Sequence, residues 1–267
     1  MPRWRKSLKS SLPKNSQFPM IALYFGSFIP IHNGHIAVAR YVVECGLADK
    51  VWLVVSPQNP HKQSADLAPE EHRLAMARLA VAEYDELEVC DVEFSMPRPS
   101  YTVDTIDKLR QIYPDEEFAL LGGGDVAATI HTWREGERLL AENKILIYPR
   151  GENDHFGEPF VMMGGAPKMK VSSTQVRELI KSGGEWQDDV PNAVAEYIEK
   201  YKLYMEHKTL EEALAAGKEA YARSDFGEAI NHFGEAKRLA PDSKEADQWL
   251  TMIDEILAFR HKDYYNP

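Results

Sequence analysis

The sequence predicts an α/β protein with a parallel sheet flanked by helices, followed by a small all-helical module. Two observations lead to this fold class. Short apolar runs of strand length alternate with longer segments in which apolar residues recur every three or four positions. Beyond residue 204 the strand-like runs stop and only helical patterns continue. Because strands joined by crossover helices pair in parallel, the first part should form a single parallel sheet.

Five apolar runs have the length and the β-branched or aromatic content of buried strands. They are residues 21–25, 51–55, 87–92, 118–122 and 144–148. Between them, amphipathic segments that include residues 34–46, 69–84 and 100–114 predict helices. Ligand sites of such sheets lie beyond the carboxyl ends of the strands, so the loops after the strands are the segments to search.

Composition limits the classes of function. With 267 residues, 44% of them hydrophobic, the chain can bury a full core. Its net charge of −11 argues against a general binder of nucleic acid or anionic membranes, so any phosphate must be bound locally. The two cysteines, Cys45 and Cys90, lack the spacing of a zinc or redox motif, and no apolar run reaches the length of a membrane span. These features favour a cytoplasmic protein.

Three regions are expected along the chain. Residues 1–19 are basic, Ser-rich and unpatterned, which predicts a disordered tail, with a transit peptide as the alternative. Residues 20–204 form the α/β domain. Residues 209–267 read as helices, and the middle pair resembles one tetratricopeptide repeat, with Gly217, Ala220, Phe226, Ala229, Phe233, Ala236 and Pro241 at that repeat's intervals. One repeat cannot bury both faces, so this module should pack on the main domain, a second subunit of a homo-oligomer or another protein.

The loop after the first strand contains "HNGH". Gly34 allows the backbone to approach a ligand, and His35 falls at a helix start, where the dipole and the unpaired N–H groups attract anions. His32 and His35 can then flank a phosphate. The alternatives are that they cap the helix or bind a metal. No third ligand accompanies them at close spacing, so no metal site is expected here.

A second helix start lies in "VSSTQVR". Ser172 and Gln175 have the spacing of a capping box. Ser173 and Thr174 offer hydroxyl groups, and Arg177 follows one turn later with a forked donor for phosphate. A Ser-Ser-Thr sequence at a helix start usually does no more than cap the helix. Together with "HNGH" it predicts two anion-binding helix ends that could hold a triphosphate.

These segments resemble the nucleotidyltransferases with an (H/T)-x-G-H signature and a late S-S-T-x-x-R motif. The intermediate loops "SPQNPHK", "RPSYTVDTI", "GGGD" and "IHTW" narrow the resemblance to bacterial nicotinate-nucleotide adenylyltransferases, which make deamido-NAD from ATP and nicotinate mononucleotide. The resemblance covers residues 21–204. It implies a Rossmann-like sheet and catalysis by positioning and charge neutralisation, with Mg²⁺ bound to ATP.

The resemblance also assigns residues to the two substrates. His32, His35 and Arg177 would be catalytic, with His35 stabilising the transition state. The expected ATP contacts are Gly26, Ser27, Phe28, Gly34, Gly123, Asp125, Ser172, Ser173 and Thr174. The expected contacts for nicotinate mononucleotide are Lys62, Tyr101, Thr102 and Trp133, of which Trp133 would stack on the pyridine ring. Each has a simpler reading, since Trp133 could be a core aromatic residue, Asp125 a helix cap and Lys62 a solvated side chain.

One position departs from the family pattern. Ile29 stands where the family usually has Asp, and an apolar side chain cannot bind a metal-bound water. Two alternatives therefore stay open beside the adenylyltransferase. One is a phosphopantetheine adenylyltransferase, which would share the histidines without needing "SYT" and "IHTW". The other is an inactive nucleotidyltransferase that presents the helical module as an interaction surface.

Overall fold

The structure is a computed structural model that describes residues 19–57, 68–149, 155–167, 170–205 and 209–263, with side chains up to residue 257. Its described residues form a six-stranded, wholly parallel sheet in the order β3-β2-β1-β4-β5-β6. The strands are β1 Met20–Gly26, β2 Lys50–Val55, β3 Leu87–Cys90, β4 Glu117–Gly123, β5 Lys144–Tyr148 and β6 Phe160–Met162.

Helices connect and flank these strands. They are α1 Asn33–Glu44, α2 Glu70–Val81, α3 Thr102–Ile112, α4 Gly124–Thr129, α5 Gly136–Glu142, α6 Ser173–Ser182, α7 Asn192–Tyr201, α8 Leu210–Ala222, α9 Phe226–Leu239 and α10 Lys244–Asp263. The predicted parallel α/β fold, followed by helices, is therefore confirmed. The strand order reverses direction at β1 and β4, which is the switch point of a Rossmann-like sheet.

Alternating side chains of the sheet supply two separate cores. On β1, Ala22 and Tyr24 join one core together with residues of α1, α2, α6 and α7. Ile21 and Leu23 point to the opposite face and pack with α3 and α5. A parallel sheet covered on both faces needs apolar residues at nearly every strand position, which is the continuous apolar pattern of these runs.

Two strands differ from the sequence prediction. The third strand ends at Cys90, and residues 92–95 form a 3₁₀ turn in place of the predicted strand end. Glu93 in this turn is buried and accepts hydrogen bonds from the hydroxyl groups of Ser100 and Thr105. The sixth strand, Phe160–Met162, was not predicted because three half-buried residues carry too little periodicity to be recognised.

The C-terminal helices α8, α9 and α10 enclose a small core of their own. Phe233 is fully buried there and stacks on Trp249, with ring centroids 5.3 Å apart. Gly217 of α8 makes room for this ring, because a Cβ at position 217 would lie 2.5 Å from a Phe233 carbon. The helical character expected of this region is observed.

This helical region contacts the main domain through the start of α9. A Cβ on Gly227 would lie 2.7 Å from Pro69, the residue just before α2. Of the three neighbours expected for the module, the structure thus shows the main domain. Of the N-terminal segment, only residue 19 is described, and the predicted tail otherwise lies outside the described residues. Among the helices that are described, none is long and apolar enough to cross a membrane.

Candidate active site

A cleft of about 1150 Å³ opens at the carboxyl ends of β1, β4 and β5. It therefore lies at the switch point, where the connections from β1 and β4 leave to opposite sides of the sheet. The loops that line it follow strands or begin helices. This is the edge of the sheet that the sequence predicted to carry the ligand.

The structure brings nearly all of the predicted site residues to this cleft. Those that line it are Gly26, Ser27, Phe28, His32, Gly34, His35, Tyr101, Thr102, Gly123, Asp125, Trp133, Ser172, Ser173, Thr174 and Arg177. Lys62 lies outside the described residues. The segments that supply the lining residues are far apart in the sequence. Their individual roles stay predictions, but the shared location supports treating them as one site.

His32 and His35 hold each other in place at the start of α1. His32 is the N-cap, and its Nδ1 accepts a hydrogen bond of 3.1 Å from the backbone N–H of Gly34. His35 Nδ1 accepts one of 3.2 Å from the backbone N–H of His32. The two rings stack, with centroids 3.7 Å apart. The capping role considered from the sequence is therefore real, and it is compatible with phosphate binding.

These two hydrogen bonds determine which ring nitrogen carries the proton. Because Nδ1 accepts in both rings, the neutral imidazoles of His32 and His35 bear their proton on Nε2. Nε2–H is therefore the donor that each ring can offer to a phosphoryl oxygen. Gly34 permits the arrangement, since a Cβ there would lie 2.9 Å from Nδ1 of His32.

Aromatic side chains support the ring of His35. The ring of Phe28 meets it edge to face with centroids 5.1 Å apart, and Tyr24 does so at 5.9 Å. Tyr24 is itself fixed by a hydrogen bond of 2.9 Å between its hydroxyl and that of Tyr148 on β5. Phe28 has a left-handed backbone with φ of 46°. The turn after β1 thus adopts an uncommon conformation for a bulky residue, beside the histidine.

The start of α6 is attached to the same turn. Ser172 caps the helix, and its Oγ accepts from the Gln175 backbone N–H at 3.2 Å. Ser173 Oγ donates to the carbonyl oxygen of Pro30 at 3.0 Å, and Arg177 Nη1 donates to that of Ile29 at 2.8 Å. The two predicted anion-binding helix ends therefore face one cleft and are joined by hydrogen bonds.

Ile29, the departure from the family pattern, contributes through its backbone. Its side chain is only 4% exposed, while its carbonyl oxygen accepts the hydrogen bond from Arg177. That hydrogen bond does not depend on the side chain at position 29. The connection between the turn and α6 is therefore intact in this chain.

The other side of the cleft is formed by the start of α3. Tyr101 is the N-cap and Thr102 the first helical residue, so the backbone N–H groups of the first turn face away from the helix body. The Arg134 guanidinium lies over the Tyr101 ring, 4.8 Å from its centroid. Buried Glu93 accepts from Ser100 at 2.7 Å and fixes the segment that leads into the helix.

Trp133 follows a 3₁₀ turn and lies between the cleft and the hydrophobic core. It is half-buried, lines the cleft and also packs against the core that contains α3. The two readings of Trp133 from the sequence, a stacking surface and a core residue, are thus both compatible with its location.

Arg73 is a residue of this region that the sequence analysis did not identify. It lies on α2, is 1% exposed and donates to the carbonyl oxygens of Ser27 at 2.8 Å, Ser56 at 2.7 Å and Pro57 at 2.6 Å. A fourth hydrogen bond, of 3.1 Å, goes to Ala68. Burial lowers the pKa of this guanidinium from its usual value. Its only signal in the sequence is an Arg within an apolar helix pattern.

Arg73 therefore links the loops after β1 and β2 from the interior of the protein. Three of its four acceptors belong to those loops, and two of them, Ser27 and Ser56, line the cleft. A guanidinium offers five donors in a fixed plane, which allows one side chain to hold several carbonyl groups. The loop after β1, in which ATP contacts are expected from the sequence, is thus positioned by a buried residue that does not itself line the cleft.

Comparison with known proteins agrees with this geometry. The cytidylyltransferase-like family model matches residues 23–179. A curated protein of Flavobacterium johnsoniae named "probable nicotinate-nucleotide adenylyltransferase" is 39% identical over 189 residues, covering 69% of this chain and 98% of the relative. A Bacteroides fragilis protein of the same name is 43% identical over 164 residues, which are 60% of this chain and 82% of the relative.

Solved structures show the same fold. Plasmodium falciparum nicotinic acid mononucleotide adenylyltransferase complexed with NaAD superimposes with a TM-score of 0.59 at 23% identity, over 70% of this chain and 97% of that one. The same enzyme complexed with APC gives a TM-score of 0.58. The sheet order and the two helix starts that share one cleft agree with the family of these relatives. The chain therefore belongs to the nicotinate-nucleotide adenylyltransferase family, within the cytidylyltransferase-like proteins.

Proposed function

We propose that this protein transfers AMP from ATP to nicotinate mononucleotide, which gives deamido-NAD and pyrophosphate in NAD biosynthesis. One observation carries the proposal. The starts of α1 and α6 face the same cleft and are joined by the hydrogen bonds of Ser173 and Arg177 to the turn after β1. Two helix N-termini with imidazole, hydroxyl and guanidinium donors form a site for a polyphosphate.

On the ATP side of the cleft, these donors would contact different phosphate groups. Nε2–H of His32 and His35 would contact the phosphate chain at the start of α1, and His35 would stabilise charge that develops on the transferred phosphoryl group. Ser173, Thr174 and Arg177 would hold the β and γ phosphates. Gly26 and Ser27 would lie under the nucleotide, with the aromatic ring of Phe28 beside them.

The chemistry needs no general base. A phosphate oxygen of nicotinate mononucleotide, already ionised at pH 7, forms a bond to the α-phosphorus of ATP. The bond from that phosphorus to the bridging oxygen breaks, and pyrophosphate leaves with the electron pair. Catalysis then depends on alignment and on neutralisation of negative charge, which are what the cleft residues can provide.

Mg²⁺ would enter with the nucleotide, bound to the phosphate oxygens, and would neutralise part of their charge. Ile29 supplies no ligand. Asp125 lines the cleft at the start of α4, directly after β4, and its carboxylate would contact the ion's water shell. Protein contacts to Mg²⁺ are often this few, because the ion keeps several waters.

The acceptor side would select a carboxylate on the pyridine ring. The backbone N–H groups of Tyr101 and Thr102, at the start of α3, would receive the nicotinate carboxylate, and the helix dipole would favour its negative charge. Trp133 would stack on the ring, and Lys62 would face the nucleotide phosphate. A carboxylate benefits from this donor pair more than a neutral amide does.

The decisive experiment measures pyrophosphate release with ATP, Mg²⁺ and one of three acceptors: nicotinate mononucleotide, nicotinamide mononucleotide or phosphopantetheine. We expect the highest kcat/KM with nicotinate mononucleotide. A preference for phosphopantetheine would replace the proposal with the sister transferase. No release with any acceptor would support an inactive scaffold.

We further propose that residues 209–267, of which 209–263 are described and largely helical, act as a tetratricopeptide-like interaction module, either in a homo-oligomer or with another protein. The Gly217–Phe233 contact and the cluster of small and aromatic residues support this reading. We place the protein in the cytoplasm, where its two thiols, Cys45 and Cys90, would remain reduced. We expect neither nucleic acid nor membrane among its partners.

A further inference from the structure

A second group of polar side chains lies outside the lining of the cleft, between α2 and the start of α9. Its members are His72 from the main domain and Asp225 and Glu228 from the helical region. One candidate ligand atom from each lies within 4.8 Å of the others. His72 and Glu228 are 3% and 5% exposed. Buried carboxylates and imidazoles of this kind are costly unless they are paired or bind a cation.

We propose that these three residues bind a divalent transition-metal ion, with Zn²⁺ as the best match, and that the ion attaches the helical region to the main domain. One imidazole nitrogen and two carboxylate oxygens are ligands that Zn²⁺ accepts. A water molecule would complete a tetrahedral shell. Since the ligands come from distant parts of the sequence, no spacing motif reveals the site.

The orientation of His72 is the first independent support. Its Nδ1 is 2.8 Å from the hydroxyl oxygen of Tyr197 on α7, and its buried Nε2 makes no hydrogen bond within the described part of the chain. Nε2 lies 3.4 Å from Oδ2 of Asp225. Metal-binding histidines have this arrangement, with one nitrogen held by an outer partner and the other directed at the ion.

The carboxylates are likewise fixed by neighbours. Asp225 caps α9, and its Oδ1 accepts from the backbone N–H of Glu228 at 3.0 Å, while its Oδ2 lies 3.4 Å from Nε2 of His72. Glu228 accepts from Arg223 at 2.8 Å through Oε2. Its Oε1 lies 3.4 Å from Nε2 of His232. His72 and Asp225 are therefore close together before an ion arrives, and Glu228 is held beside them by Arg223 and His232.

The distances suit a small ion. Metal–ligand bonds of about 2.0–2.1 Å in tetrahedral geometry place neighbouring ligand atoms roughly 3.4 Å apart. The His72–Asp225 distance of 3.4 Å already has this value. The third ligand atom, within 4.8 Å of the others, needs only a side-chain adjustment of Glu228. The close approach of Gly227 to Pro69 holds the two helix starts together around the site.

The test compares metal content in matched variants of the full chain. Each protein is stripped with a chelator, incubated with excess Zn²⁺, desalted and analysed by elemental mass spectrometry. Asp225→Asn keeps a side chain that caps helices equally well, and Glu228→Gln keeps the shape of the side chain. Glu219→Gln is the control, because Glu219 binds the same Arg223 at 3.1 Å but is 71% exposed and outside the cluster.

Wild type and Glu219→Gln should retain about one more equivalent of Zn²⁺ than Asp225→Asn and Glu228→Gln. Any Zn²⁺ bound by the cleft histidines is common to all four proteins and cancels in the comparison. Zn²⁺ at a hundredfold excess over its Kd should also raise the melting temperature of wild type and the control by about 5 °C, and that of the two variants much less.

Equal Zn²⁺ content in all four proteins would overturn the proposal. The proposal would also be wrong if the two variants had lower melting temperatures than wild type but the same metal content. That result would show that His72 and Asp225 form a simple ion pair across the interface. His72→Phe, which keeps an aromatic ring beside Tyr197, provides a second ligand deletion if either carboxylate variant fails to fold.

Discussion

The cleft and the C-terminal helical region are stabilised in opposite ways. In the cleft, polar side chains bind backbone groups of other segments, as Arg177 does with Ile29 and Arg73 does with Ser27. In the helical region, apolar groups fit one another, as Phe233 fits Gly217 and Trp249. Hydrogen bonds to the backbone give the cleft residues a defined geometry for chemistry, whereas apolar packing keeps the helical region folded. Substitutions in the two regions should therefore separate activity from stability.

The largest effect is expected for His35→Ala. It removes the Nε2–H donor from the start of α1, and losing one such donor typically lowers kcat about a hundredfold to a thousandfold. ATP affinity should change little. Steady-state kinetics of pyrophosphate release measure both quantities.

The matched control for His35→Ala is Asn33→Ala, in the same turn of α1. Its side chain donates to the backbone of Asp188 at 2.8 Å and does not line the cleft. It should keep kcat within about threefold of wild type, well short of the effect expected for losing an oxyanion donor. If His35→Ala behaved like the control, the assignment of His35 as the main transition-state donor would be wrong.

Arg73→Met should lower the free energy of unfolding by about 3 kcal/mol, because it leaves several buried carbonyl groups without a donor. Since Ser27 and Ser56 then lose a common anchor, KM for ATP should rise as well. Chemical denaturation and steady-state kinetics measure these two effects.

Arg78→Met on the same helix is the control for Arg73. Its ion pair with Asp91 is more than half exposed on both sides, so it should cost no more than about 1 kcal/mol. Equal costs for the two substitutions would show that the carbonyl groups around Arg73 find other donors.

In the helical region, Gly217→Ala should be less stable than Gly234→Ala by about 2 kcal/mol. Both variants gain helix propensity, but only the Cβ at position 217 meets a ring, 2.5 Å away, whereas that at 234 meets nothing within 4 Å. Thermal unfolding followed by circular dichroism provides the comparison. Both should keep the kcat of wild type, since every residue that lines the cleft belongs to the main domain. A loss of kcat in Gly217→Ala alone would show that the helical region affects the chemistry.

The smallest effect is expected for Trp133→Ala. KM for nicotinate mononucleotide should rise about fivefold to tenfold, and KM for ATP should stay nearly unchanged, because only the acceptor loses a stacking surface. Saturation curves for each substrate at fixed concentrations of the other test this. A similar rise in both constants would indicate that Trp133 acts through the core it also contacts.

Local patterns in the sequence predicted the sheet and the position of the cleft, and the resemblance to a known family predicted most of the lining residues. Apolar runs mark β1, β2, β4 and β5, and Gly34 and Ser172 mark helix starts. Features that depend on tertiary contacts were not predictable. Arg73 has no motif, since its acceptors are carbonyl groups brought together only by folding. The cluster around His72 combines residues that are more than 150 positions apart in the sequence.

Helix α2 has a consequence for how an appended segment can influence an enzyme. Consecutive residues of this helix face different parts of the molecule, His72 the start of α9 and Arg73 the loops after β1 and β2. A rotation of the helix about its axis that altered one contact would alter the other. The helical region and the loops after β1 and β2 thus contact the same helix, so a displacement of α2 caused by a partner of the helical region would reach the loops proposed to bind ATP.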